Sequence, residues 1–169
     1  MGFLDVLKQY AGDVLAPPGD VHAHFDEVAQ QAAPADLGSG IAAAFRSDST
    51  PPFGQLDGNL FDRSNPQQQA GVLNQLVQAL GAGGLASVAG GALGRVLGNG
   101  PGTAAASITP EQASQLSPAD VASIAAHAEK QDPSIVDRLG DFYAQHPTLV
   151  KTLGVAALGI AMQHMSDRR

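Results

Sequence analysis

The chain has 169 residues, 44% of them hydrophobic, a formal net charge of −7 and no cysteine. That length and apolar share suit one domain with a real core, or two small helical pieces, and argue against a disordered chain. The acid excess removes the counterion-release term that drives binding to phosphate backbones, so nucleic acid and anionic lipid surfaces are poor partners, and the missing thiols exclude disulfides, thiol catalysis, zinc fingers and iron–sulfur clusters.

The opening MGFLDVLKQYAGDVLAPPGD places Phe3, Leu7, Tyr10 and Val14 on one helical face. This predicts a first helix to about Leu15, ended by Pro17-Pro18-Gly19. It does not read as a signal peptide, because it lacks a basic leader and Asp5, Lys8 and Asp13 interrupt the apolar run. Asp20 is placed to cap a second helix carrying Val21, Phe25, Val28 and Ala32. Pro34 starts a third with Leu37, Ile41 and Phe45, and 47–52 is a polar break. Phe53, Leu56, Leu60 and Phe61 mark a short helix. Asn65-Pro66 opens a longer one with Val72, Leu73, Leu76, Val77 and Leu80.

Asn65-Pro66 is the first of five related signals, followed by Thr109-Pro110, Ser117-Pro118, Asp132-Pro133 and His146-Pro147. Ser, Thr, Asp and Asn accept a bond from a free backbone N–H at a helix start. Proline fits the first helical position because its missing N–H had no partner there.

Composition shifts at Gly81, where the chain reads GAGGLASVAGGALGRVLGNGPG. One reading is a flexible linker, since glycine loses the most entropy on ordering. The preferred reading is a loose helix over 85–97, because Leu85, Val88, Leu93, Val96 and Leu97 are too apolar for an ordinary linker. On it, Gly90, Gly94 and Gly98 form an i, i+4 row that would let two helix backbones approach closely, with Leu93 and Leu97 beside them. These five residues are the candidate self-association surface.

Beyond Ser107 a compact helical series follows. Thr109 and Gln112 have capping-box spacing. Ser117 opens a helix with Val121, Ile124, Ala125 and Ala128 inward. Asp132 opens one with Ile135, Leu139 and Phe142 inward and Val136 and Tyr143 flanking. Pro147 opens the last, whose run TLGVAALGIAM is apolar on all faces and belongs in a core or an interface. Leu149, Val150, Leu153, Val155, Leu158, Ile160 and Met162 are expected to be buried against Val121, Ile124, Ile135, Leu139 and Phe142.

No catalytic constellation stands out. His22 and His24 would share a metal on a strand, but on a helix they diverge by about 200°. His127, His146 and His164 fall in different segments. Asp137 and Asp141 are i, i+4 with Arg138 and Lys130 nearby, which reads as a solvated face. A helix-turn-helix over 117–147 would offer only Arg138 as a basic contact on its second helix. No phosphate loop, dinucleotide fingerprint or serine-hydrolase elbow is found. The expectation is no catalytic residue, no cofactor and no metal.

The MGFLDVL opening, the Gly-rich centre and the C-terminal SITPEQASQLSPADVASIAAHAEKQDPSIVDRLGDFYAQHPTLVKTLG together resemble the YidB-like group of uncharacterised bacterial proteins. The resemblance implies a multihelical bacterial protein and brings no site residue. The whole reading is an all-α, multihelical bundle: an acidic helical region over 1–80, a Gly-rich segment over 81–106 and a C-terminal helical bundle over 107–169. The expected role is a non-enzymatic, self-associating structural or protein-interaction module. The partner is itself or another protein, and the location cytoplasmic. The alternative is an envelope-associated protein that lays an apolar helix on lipid.

Overall fold

A computed structural model of the chain describes residues 21–88, 91–97 and 107–168, with Ala82, Ala86, Ala92 and Leu97 described in backbone only. The expected first helix and the Asp20 cap lie outside these residues. Helices take up 80% of the structure, and the described residues contain no strand. In chain order they are α1 (Val21–Gln31), α2 (Pro34–Arg46), α3 (Phe53–Asp62), α4 (Pro66–Val88), α5 (Ala92–Leu97), α6 (Pro110–Ala113), α7 (Pro118–Gln131), α8 (Ile135–Ala144), α9 (Pro147–Val150), a 3-10 turn η1 (Lys151–Leu153) and α10 (Val155–Asp167). The all-α multihelical reading stands.

The start signals work as their chemistry requires, with two exceptions. Asn65 Oδ1 accepts from the Gln68 N–H at 2.9 Å, and Gln68 Oε1 accepts from the Asn65 N–H at 3.0 Å. Thr109 with Gln112, and Ser117 with Asp120, close the same reciprocal box at the starts of α6 and α7. Asp132 is the first exception. Its Oδ1 accepts from the N–H and hydroxyl of Ser134, making a turn, and α8 starts two residues later than the proline suggests. His146 is the second, giving α9 no side-chain cap.

The chain forms two compact units. Unit 1 contains described residues 21–52 and 136–168, and unit 2 contains 53–135. The described part of the Gly-rich segment belongs to unit 2, so contacts divide the chain elsewhere than at 81–106. The expected C-terminal bundle is divided as well: α7 packs on α3 and α4, whereas α10 packs on α2 and α1.

In unit 1, α2 is the hub. Leu37, Ile41 and Phe45 are buried as the helical spacing demands. Gly38 meets Gly140 of α8: a Cβ on Gly140 would lie 2.5 Å from the Gly38 carbonyl. Gly40 meets α10, where a Cβ would lie 2.7 Å from the Ala161 carbonyl. Missing side chains thus let two helices approach α2 almost backbone to backbone. Arg46 adds a two-pronged bond to both carboxylate oxygens of Asp137, each at 2.7 Å. Lys151 reaches Asp26 of α1 at 2.6 Å.

Unit 2 uses the same device. Gly54 and Gly58, one turn apart on α3, face the backbone and methyl groups of α7. A Cβ on Gly54 would strike the Ala122 carbonyl, and one on Gly58 would lie 2.6 Å from the Pro118 carbonyl. Asn74 of α4 clamps Ile108 through both its backbone groups, accepting from N–H at 2.7 Å and donating to C=O at 3.3 Å.

Three expected details are corrected. The helix over 85–97 is not continuous: α4 kinks at Gly81 and ends at Val88, Gly91 is a bend, and α5 begins at Ala92. In α8 Ile135 and Leu139 are buried as expected, but Val136 and Tyr143, expected to flank, are buried too, while Phe142 is only half-buried. The last helix breaks at Gly154, whose φ of 97° stops the chain from continuing as a helix. Leu149, Val150, Leu158 and Met162 are buried, but Leu153 and Ile160 are half-buried and Val155 is 45% exposed.

Candidate functional site

The proposed glycine row does not lie on one described helix. Gly94 sits in the six-residue α5 and is half-buried, while Gly90 and Gly98 lie outside the described residues. Leu97 is described in its backbone alone. Leu93 is 1% exposed, enclosed by its own chain. Two other glycines of the segment, Gly83 and Gly91, have no atom closer than 3.5 Å to an added Cβ. Backbone-to-backbone approach is built at Gly38, Gly40, Gly54, Gly58 and Gly140 instead, none of which the sequence reading singled out.

Among the described residues, the exposed large apolar side chain lies near the C-terminal end of unit 1. Ala44, Ala157 and Ala161 form a buried cluster, and Leu153 and Ile160 pack over it while remaining half-buried. Val155 and Ala156, in the first turn of α10, are exposed. The run is apolar on all faces, and among the described residues Ala157, Leu158, Ala161 and Met162 are its buried side chains.

Unit 2 carries a cleft of about 200 Å³ lined by Ser87, Val88, Leu93, Asp120, Ser123 and His127, among others. Ser, His and Asp side chains meet there without forming a relay. The Asp120 carboxylate accepts from the N–H and hydroxyl of Ser117 as a helix cap. His127 Nδ1 donates to the Ser123 backbone carbonyl at 2.9 Å, and the Ser87 hydroxyl donates to the Gly84 carbonyl at 2.6 Å. Each of these groups is tied to its own helix.

The remaining sequence candidates separate. His22 and His24 are on α1, so they diverge as the helical spacing requires. Among the described residues no group of three or more His, Asp or Glu is placed to hold a metal ion. Asp137 and Asp141 do not act as a pair. The Arg46 hydrogen bond outweighs the opposing effect of burial and, with a lesser contribution from the Arg46 charge, holds Asp137 below its usual carboxylate value. Asp141 lies against Gly38. Asp57 of α3 is completely buried, and nothing in the local sequence distinguishes it from the exposed acids around it.

One cluster joins helices far apart in sequence. Gly40 brings α2 against α10 at Ala161, and this sets Ser39 beside His164, one turn further along α10. Ser39 Oγ lies 3.1 Å from His164 Nε2 and 2.5 Å from Arg168 Nη1. His164 and Arg168 are i, i+4, so both reach the same hydroxyl. The signals available in the sequence were that spacing and the Gly38-Ser39-Gly40 triplet; neither names the partner across 125 residues.

Comparison with protein-family models, curated proteins and solved structures found no match. Among the described residues, no helix is long and apolar enough to cross a membrane.

Proposed function

We propose that this chain is a non-enzymatic helical protein that associates with itself, or with another protein, through the exposed apolar start of α10. One observation carries the reading: Val155 is 45% exposed in a helix whose other large apolar side chains are buried or half-buried. Covering aliphatic surface is favourable by about 25 cal/mol per Å². Val155, Ala156, Leu153 and Ile160 make a small contact beside the ~1,200 Å² or more of a stable interface. The association is therefore weak and depends on concentration. The enclosed Leu93 moves the proposed surface away from the glycine row, where Gly94 keeps only a secondary part.

The YidB-like resemblance is part of this proposal and assigns no site. The setting under this reading is the cytoplasm. The alternative is a peripheral envelope protein, favoured by the same exposed valine meeting lipid instead of protein. Light scattering over a concentration series, with and without liposomes, distinguishes them. Self-association gives mass that rises with concentration in buffer alone. Vesicle binding insensitive to salt, with constant mass in buffer, supports the alternative, because an acidic chain gains nothing from charge attraction to anionic lipid.

A further inference from the structure

We propose that Ser39 is an activated nucleophile, with His164 as its general base and Arg168 as the cation beside its oxygen. One of the two hydrogen bonds has a fixed direction, and the other follows the imidazole tautomer. Arginine has no acceptor and keeps its charge, so Arg168 donates to Ser39 Oγ across 2.5 Å. The second contact, 3.1 Å to His164 Nε2, carries the hydroxyl proton when His164 is in its Nδ1–H tautomer, the arrangement on which the proposal rests. A serine whose proton rests on an imidazole nitrogen, beside a fixed positive charge, has the arrangement that makes a weak hydroxyl reactive. Ser39 and His164 are half-buried and Arg168 is exposed, so the cluster borders solvent on the arginine side.

The ligand class is an acyl or phosphonyl donor with a good leaving group. With a fluorophosphonate, Oγ forms a bond to phosphorus, the P–F bond breaks with its electron pair leaving as fluoride, and the hydroxyl proton passes to His164 Nε2. With an activated ester, Oγ bonds to the carbonyl carbon, the C–O bond to the alcohol breaks, and the alcohol leaves with the proton returned by His164. Arg168 stabilises the negative charge that develops. The product is a covalently modified Ser39. Turnover is not required, so the proposal stands or falls separately from self-association.

The test treats the full-length protein with a small fluorophosphonate and locates the adduct by peptide mass spectrometry. An adduct on Ser39 is expected, absent in Ser39→Ala. His164→Gln retains an acceptor for the Ser39 hydroxyl but no base, and should slow labelling by roughly 100-fold or more. A simple tie between α2 and α10 would not produce that loss, because the tie is kept. Arg168→Met, at an exposed position, should slow labelling several-fold and serves if His164→Gln does not fold. Failure to label Ser39 in the folded wild type overturns the proposal, as does undiminished labelling in folded His164→Gln or, where that variant is unfolded, in Arg168→Met.

Discussion

Arg46 and Asp137 show what a single pair of side chains contributes here. The pair has ideal two-pronged geometry, yet the side chains are 44% and 56% exposed. Solvent screens such pairs, and their net worth is about 0.2–1 kcal/mol. Arg46→Met should therefore lower stability at neutral pH by no more than about that amount. The hydrogen bond from Arg46 depresses the Asp137 pKa in the folded state. Its stabilisation is accordingly complete above the ordinary carboxylate value of 3.8 and is lost as pH falls through the lower folded value. Denaturant melts of wild type and Arg46→Met should differ at pH 7 and converge in strong acid; a gap that widens in acid would contradict the assignment. Asp137 was legible from sequence as an exposed acid, but not as the partner of Arg46, because a pair separated by 91 positions leaves no local pattern. The same holds for Ser39 and His164. Local spacing reveals neighbours on one helix and says nothing of which helix lies across.

Helix starts were the most legible elements, since a cap and its proline sit within four residues of each other. Faces were less so. In α8 both Phe142 and Tyr143 satisfy helical spacing, and only the packed neighbours decide that Tyr143 goes inside, with Phe142 edge-on to it at 5.4 Å. Glycine was the least legible, because one residue type serves three purposes. At Gly58 it removes a side chain between helices, at Gly154 it allows a positive φ, and at Gly83 it has open space around it. The three predict different outcomes. Gly58→Ala should cost about 1–3 kcal/mol, since the Cβ would meet a backbone carbonyl that cannot swing aside. Gly154→Ala should cost a similar ~1–3 kcal/mol through backbone strain alone. Gly83→Ala, exposed within α4, should be neutral or stabilise by up to ~1 kcal/mol. Thermal melts of the three variants check this ranking. An unchanged melting temperature for Gly58→Ala would mean that α3 and α7 do not meet backbone to backbone. Within α10, Leu158→Ala should cost about 2–5 kcal/mol, whereas Val155→Ala should stay within about 0.5 kcal/mol of wild type.

For the whole molecule, helical class followed from apolar period, and the division into units did not. The composition shift at Gly81 suggested a boundary there, but glycine marks both linkers and close packing. Unit 1 instead joins 21–52 to 136–168, a pairing set by Gly38, Gly40 and Gly140 meeting across the chain. The glycine row was read as a contact between chains, and one of its flanking residues, Leu93, is spent inside its own unit. Among the described residues, the large apolar side chain that stays outside is Val155. Sedimentation equilibrium of wild type and Val155→Asp at matched concentrations tests the account most directly, with circular dichroism to verify equal helix content. The account predicts an average mass that rises with concentration for wild type and stays at the 17.2 kDa of one chain for Val155→Asp. A wild type that remains monomeric throughout, or a folded Val155→Asp that associates as strongly as wild type, would contradict it.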